Sequence, residues 1–112
     1  MQRKCLSKRN EIKAALWYER ADYSLDPPCP RCDVCGKPTP EPDMHEFLIR
    51  RGHVPKKKQG CIWHRFNCAL ICRTCHEKAD GMKEYFRDLQ IERYGREAIE
   101  EWLDNLPLKV IL

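Results

Sequence analysis

Two Cys-x-x-Cys pairs constrain this chain more than any other feature in it: Cys32 and Cys35 in "CDVCG", and Cys72 and Cys75 in "CRTCH". Two cysteines at that spacing sit on one knuckle with both sulfurs aimed at a common point. Two knuckles supply the four thiolates of a closed tetrahedral zinc site. Gly36 follows the first pair, where the chain turns sharply and a residue without a Cβ fits best. The pairs lie farther apart than the roughly 15–20 residues of common zinc ribbons, so a working element is expected between them. Cys29-Pro-Arg-Cys32 has the same spacing, and Cys29 stays open as a replacement for one ligand. Cys5, Cys61 and Cys68 have no matching spacing and read as small buried or half-buried thiols.

Eight cysteines in 112 residues imply either a disulfide framework or metal binding. The start, "MQRKCLSKRN", is charged and carries no apolar signal-peptide core. No apolar run approaches the roughly 18 residues that a bilayer span requires. The expectation is an intracellular protein without membrane segments, in a compartment where thiols stay reduced, and this favours zinc over disulfides. A single domain over residues 1–112 is expected, with a modest core to which a structural metal adds stability.

The hydrophobic periodicity predicts an α+β chain. Residues 10–23, "NEIKAALWYERADY", read as a helix, with Asn10 as its cap and Ile12, Ala15 and Leu16 on one face. The segment "SLDPPCPRCDVCGKPTPEPD" is too rich in proline for regular structure. "MHEFLIR" reads as a short strand, "RGHVPKKKQG" as a basic loop, and "CIWHRFNCALIC" as holding the returning strand. A short helix is expected over residues 73–80. A helical extension over 82–106 should bury Met82, Tyr85, Phe86 and Leu89, then Ala98, Ile99, Trp102 and Leu103, with Gly95 as the break and Pro107 as the end.

The formal net charge is +4, and the positive residues cluster: Arg3, Lys4, Lys8 and Arg9, then Arg50, Arg51, Lys56, Lys57 and Lys58. Such clustering fits a nucleic-acid face that grips phosphates without reading sequence. The plainer alternative is a solvated surface.

The stretch "CDVCG … MHEFLIRRG … NCALICRTCHEKA", residues 32–79, resembles the small phage-type HNH endonucleases. The resemblance implies a ββα-metal core over residues 29–80, in which two strands and a helix surround a catalytic divalent ion. It implies that His45 and His76 ligate that ion, that Asn67 pins the loop before the helix, and that Glu46 occupies the slot of the general base. Families of this kind usually carry histidine in that slot. A carboxylate with a pKa of about 4.3 is a weaker base at neutral pH. His53 and His64 are the other candidate bases. The neighbours His45 and Glu46 can serve one site only if the strand ends or distorts there, because successive strand residues face opposite ways.

The activity implied is hydrolysis of DNA phosphodiester bonds, by nicking or full cleavage. One metal would polarise the phosphate and assist the departing oxygen. Imidazole ligands suit Mn²⁺, Ni²⁺, Co²⁺ or Zn²⁺ at least as well as Mg²⁺. The expected partner is DNA, with other phage DNA-processing proteins as possible company. The competing expectation is a zinc-containing nucleic-acid-binding or assembly module that keeps the fold with weak or no cleavage. A thioredoxin-like reading finds no βαβ pattern around either cysteine pair.

Overall fold

The elements follow from a computed structural model that describes residues 2–110 and 112; the side chains of residues 2–6, His53, Lys56 and Gln59 lie outside what is described. In chain order they are α1 (Gln2–Arg20), β1 (Ala21–Asp22), β2 (Cys29–Pro30), β3 (Asp43–Glu46), β4 (Cys68–Ile71), α2 (Arg73–His76), α3 (Lys83–Tyr94) and α4 (Arg96–Asp104). Three 3-10 turns, Arg51–His53, Lys56–Ile62 and Arg65–Asn67, fill the connection from β3 to β4. The protein is a small mixed α+β domain. No helix among the described residues is long and apolar enough to cross a membrane.

β3 and β4 are antiparallel, with Asp43 opposite Ile71, Met44 opposite Leu70, His45 opposite Ala69 and Glu46 opposite Cys68. All four residues of β4 are buried, as a strand covered on both faces should be. Leu16 of α1, Phe86 of α3 and Ile99 and Leu103 of α4 join them in one core with Met44, Ile62 and Trp63.

A two-stranded sheet leaves an unpaired edge whose N–H and C=O groups still need partners once buried. Side chains close that edge here. The N–H of Asp33 donates to the Leu70 carbonyl at 2.9 Å, and the Leu70 N–H donates to the Asp33 carboxylate at 2.9 Å. The Cys68 carbonyl accepts from Arg20 at 2.8 Å and from Gln90 at 3.1 Å. Arg20 also reaches the Arg65 carbonyl, the Tyr94 hydroxyl and, at 3.7 Å, the Asp33 carboxylate. The end of α1, the middle of α3 and the first cysteine knuckle are thus fixed to one strand edge.

Several expectations differ from the structure. α1 begins well before Asn10, which is an exposed interior residue and caps nothing, and the helix stops at Arg20 because Ala21 and Asp22 pair with Pro30 and Cys29. Two residues of the proline-rich segment therefore do form a strand. β3 ends at Glu46, three residues after Asp43, because Phe47, Leu48 and Ile49 hydrogen-bond to Asn67 in place of a neighbouring strand. α2 is a single turn and does not run to residue 80. Phe86 is fully buried, but Tyr85 is exposed and donates its hydroxyl to the Asp33 carbonyl. Ile99 and Leu103 are buried on α4, while Ala15 and Ala98, assigned to buried faces, are exposed. Gly95 separates α3 from α4 at φ 93° and donates its N–H to Ile91.

The Arg20 side chain is 6% exposed and that of Asp33 7%. Replacing Arg20 with Met keeps most of the volume and removes the charge, leaving a buried carboxylate short of one cation. Such a loss should lower the unfolding free energy by about 3–5 kcal/mol in urea titration. A change below about 1 kcal/mol would show that the edge is held by Gln90 and Arg93 alone.

Candidate functional site

Cys32, Cys35, Cys72 and Cys75 form one cluster whose sulfurs all lie within 4.8 Å of one another. The Cys35 and Cys72 sulfurs are 4.0 Å apart. Four thiolates about 2.3 Å from a tetrahedral ion would be separated by about 3.8 Å, so the cluster needs only slight contraction to hold a metal. Backbone N–H groups already point at the sulfurs: Val34 and Cys72 at Cys32, 3.4 and 3.3 Å away, and Cys75 at Cys72, 3.4 Å away. Gly36 has φ 78° and returns its N–H to the Cys32 carbonyl, which closes the first knuckle as its position implies. The Cys72 thiol is drawn down to about 7 by the Cys75 N–H, whereas burial and then the three surrounding sulfurs push Cys75 up to about 12. Four sulfurs so close together could hold a metal ion, which would offset the repulsion among their thiolates.

Cys29 is buried in β2 and does not belong to the cluster, so the alternative clip does not form. Cys68 is buried without ligand geometry, and burial first, then the Glu46 charge, pushes its thiol up to about 12. Cys61 is half-buried. Cys5 lies outside the described side chains.

A second group stands one residue beyond the clip. His76, at the end of α2, faces β3 with its ring 5.3 Å from that of His45. The His76 Nδ1 lies 2.9 Å from the Asp43 carboxylate, which also pairs with Arg73 at 3.1 Å. A carboxylate can only accept, so Nδ1 carries a proton, and Nε2 is the ring nitrogen that Asp43 does not engage. Asp43 and His45 are two residues apart on one strand and share a face. His45 is 7% exposed. Among the described residues it makes no side-chain hydrogen bond and touches the rings of His76 and Phe86. Burial first, then the neighbouring His76 and Arg50, lowers its pKa to about 4, so near neutral pH the ring is uncharged with a lone pair available.

Glu46 is not brought into this group. It follows His45 in a regular strand, lies opposite Cys68, and its carboxylate sits 3.9 Å from Arg51. Asn67 is fully buried and its amide is saturated: Oδ1 accepts from Leu48 and Ile49 at 2.9 and 2.8 Å, and Nδ2 donates to the Ile49 and Ile62 carbonyls, both at 3.0 Å. It therefore acts by positioning the chain after β3 and has no atom free for a substrate. His64 is also committed. Its Nδ1 accepts from Phe66 N–H at 3.1 Å and its ring stacks on Trp102 at 4.7 Å. The side chain of His53 lies outside the described ones.

Among the basic candidates, Arg50 is held by Asp80 at 3.0 Å, and Arg51 lies over the Trp63 ring at 5.2 Å. Lys57 and Lys58 are exposed. Lys56 lies outside the described side chains. Sequence reasoning missed Asp43, because the strand was expected to begin at Met44 and Asp43 was left in the proline-rich segment before it. It also missed Arg20 and Gln90, whose types give no hint of burial.

No protein-family model, curated protein or solved structure matches this chain.

Two predictions follow from these geometries. Dialysis against a strong chelator should lower the melting temperature by more than about 10 °C. Cys35→Ser should reproduce that loss, while Cys29→Ser should leave metal content unchanged. Asn67→Ala strands four buried backbone groups and should cost at least about 3 kcal/mol in denaturant unfolding. A smaller loss would mean that water replaces the amide.

Proposed function

We propose that this chain is a divalent-metal-dependent DNA endonuclease of the HNH type, with a structural zinc ion at Cys32, Cys35, Cys72 and Cys75 and a catalytic ion at His45 and His76. The observation that carries the second site is His45 itself, a buried imidazole without a hydrogen bond, turned toward His76. A neutral imidazole that spends neither nitrogen on a hydrogen bond inside the domain has a lone pair free for an outside ligand. Asp43 supports the same reading. By accepting from Nδ1 it holds His76 in the tautomer whose Nε2 can ligate, as carboxylates beside metal-bound histidines commonly do. Asn67 adds a third support, because it fixes the exit of β3 next to His45.

When bound, the ion would act as a Lewis acid on a DNA phosphate and steady the departing oxygen. The chain's part is to hold two imidazoles at fixed spacing, with the basic loop placed to keep the backbone near. Zinc suits the four-thiolate set, and Mn²⁺, Co²⁺ or Ni²⁺ suit the imidazole pair.

The placement of Glu46 favours a second reading. With Glu46 on the opposite pleat and paired with Arg51, no described side chain beside His45 and His76 stands ready as a base. The same domain would then be a zinc-bound DNA-binding module with slow or absent cleavage.

Plasmid nicking and linearisation across Mg²⁺, Mn²⁺, Ni²⁺ and Co²⁺ separates the two. Under the nuclease reading, wild-type protein cuts, and His76→Ala abolishes cutting while zinc content and melting temperature hold. Glu46→Gln should cost less than about tenfold, since Glu46 faces away; a loss of about 10²–10⁴ would instead make it the general base. Wild-type protein that binds DNA but cuts with none of these ions would leave the binding-module reading standing.

A further inference from the structure

The two basic clusters are far apart in the sequence, yet the fold sets them side by side. The Arg9 guanidinium of α1 lies 5.9 Å from the centre of the Trp63 ring, and that of Arg51 lies 5.2 Å from the same ring. Trp63 is 3% exposed, so the indole is a floor with two guanidiniums leaning on it. α1 packs against the Lys56–Ile62 turn, which carries Lys57 and Lys58, and Lys8 and Lys58 both lower the Cys61 thiol through their charge, against the larger effect of burial. Lys8 also acts on His64.

The arginines elsewhere in this domain are matched: Arg20, Arg31, Arg50, Arg65, Arg73, Arg87, Arg93 and Arg96 each have a carboxylate oxygen within 4.0 Å. Among the described arginine side chains Arg9 has none, and Lys8, Lys57 and Lys58 have none either, like the other described lysines. Like charges gathered without counter-charge repel, and the arrangement becomes favourable when a polyanion lies across it. Arg51 connects this patch to Glu46, the neighbour of His45 in the chain.

We propose that Lys8 and Arg9 of α1 form, with Arg51, Lys57 and Lys58, one continuous surface that holds the phosphate backbone of duplex DNA. This rests on the DNA reading above and extends it to a helix outside the presumed catalytic core. A polyanion fits better than a protein partner. The described side chains of the patch are long cations over a buried ring, and none of the large exposed apolar side chains, Tyr18, Tyr23 and Tyr85, is among them to supply the anchors that carry protein interfaces. Contacts of this kind position the duplex and do not read its sequence.

The test is binding of a labelled DNA duplex across salt concentrations, by fluorescence anisotropy, with His76→Ala protein and no added divalent ion, so that cleavage does not enter. Each lost phosphate contact should reduce the slope of log K against log salt by about 0.9. The pair Lys8→Ala with Arg9→Gln should therefore flatten it by nearly 2 units, as should Lys57→Ala with Lys58→Ala, equally on unrelated sequences. The pair Lys37→Ala with Lys83→Ala changes net charge by the same amount elsewhere and should leave the slope nearly unchanged. An unchanged slope in the α1 pair overturns the proposal, as does an equal effect from the control pair. Tighter binding to an acidic peptide or to duplex RNA would overturn the choice of partner. If Arg9→Gln lowers the melting temperature, Lys8→Ala alone, on an exposed side chain, should still remove about one unit. Wild-type cleavage is scored separately. Cutting with an unshifted α1 slope sinks this inference alone, and a shifted slope without cutting sinks only the nuclease.

Discussion

The outer edge of β4 is the constraint on which the rest of this domain depends. A two-stranded sheet buried on both faces cannot satisfy its own outer edge, and no third strand is present among the described residues. Asp33 closes one part with its N–H and its carboxylate. Arg20 and Gln90 close the next. Each of these side chains belongs to a different element, so satisfying four residues of backbone also assembles a knuckle and two helices. The same contacts set the metal cluster. Asp33 lies between Cys32 and Cys35, and Leu70 lies two residues before Cys72, so pairing Asp33 with Leu70 brings the two knuckles together.

The second cluster is a consequence of the first. α2 is one turn long, too short to be stable by itself. It is held by the N–H of Cys75 on the Cys72 sulfur, by the N–H of His76 on the Cys72 carbonyl, and by the clip. Successive helix residues point about 100° apart, so a turn that sends Cys75 to the four-sulfur cluster must send His76 elsewhere. It sends His76 toward β3. A closed site and an adjacent open one can thus share a single helical turn, and the order Cys-His in the sequence carries that geometry.

Much of this was legible in the sequence, and the remainder divides along a physical line. Patterns that depend on local spacing came through. The Cys-x-x-Cys pairs, the positive φ at Gly36 and Gly95, and the burial of Phe86, Ile99 and Leu103 all follow from the period of a knuckle or a helix. Features that depend on partners from distant segments did not. Arg20 looks like any charged residue at the end of an amphipathic helix, and only the meeting of α1, β4 and α3 shows that it is buried. Gln90 is of the same kind. The early start of α1 was obscured because charged residues before Asn10 resemble a tail as much as a solvated helix.

His45 and Glu46 show why a motif read as a string can mislead about its chemistry. In a string, adjacent residues are equivalent members of one site. On a strand they belong to opposite faces, and the residue that shares a face with His45 is Asp43, two places back. The pairing of β3 with β4 is regular through Glu46, so no bulge re-aims its side chain. Strand periodicity therefore assembles a set of one carboxylate and two imidazoles, Asp43, His45 and His76, where adjacency alone would have assembled His45, Glu46 and His76. The two sets differ in what they can do. The Asp43 carboxylate accepts the Nδ1 proton of His76 and so orients its ring, whereas the Glu46 carboxylate faces Arg51. Under the proposed nuclease reading, cleavage turns on which of these two carboxylates meets the water.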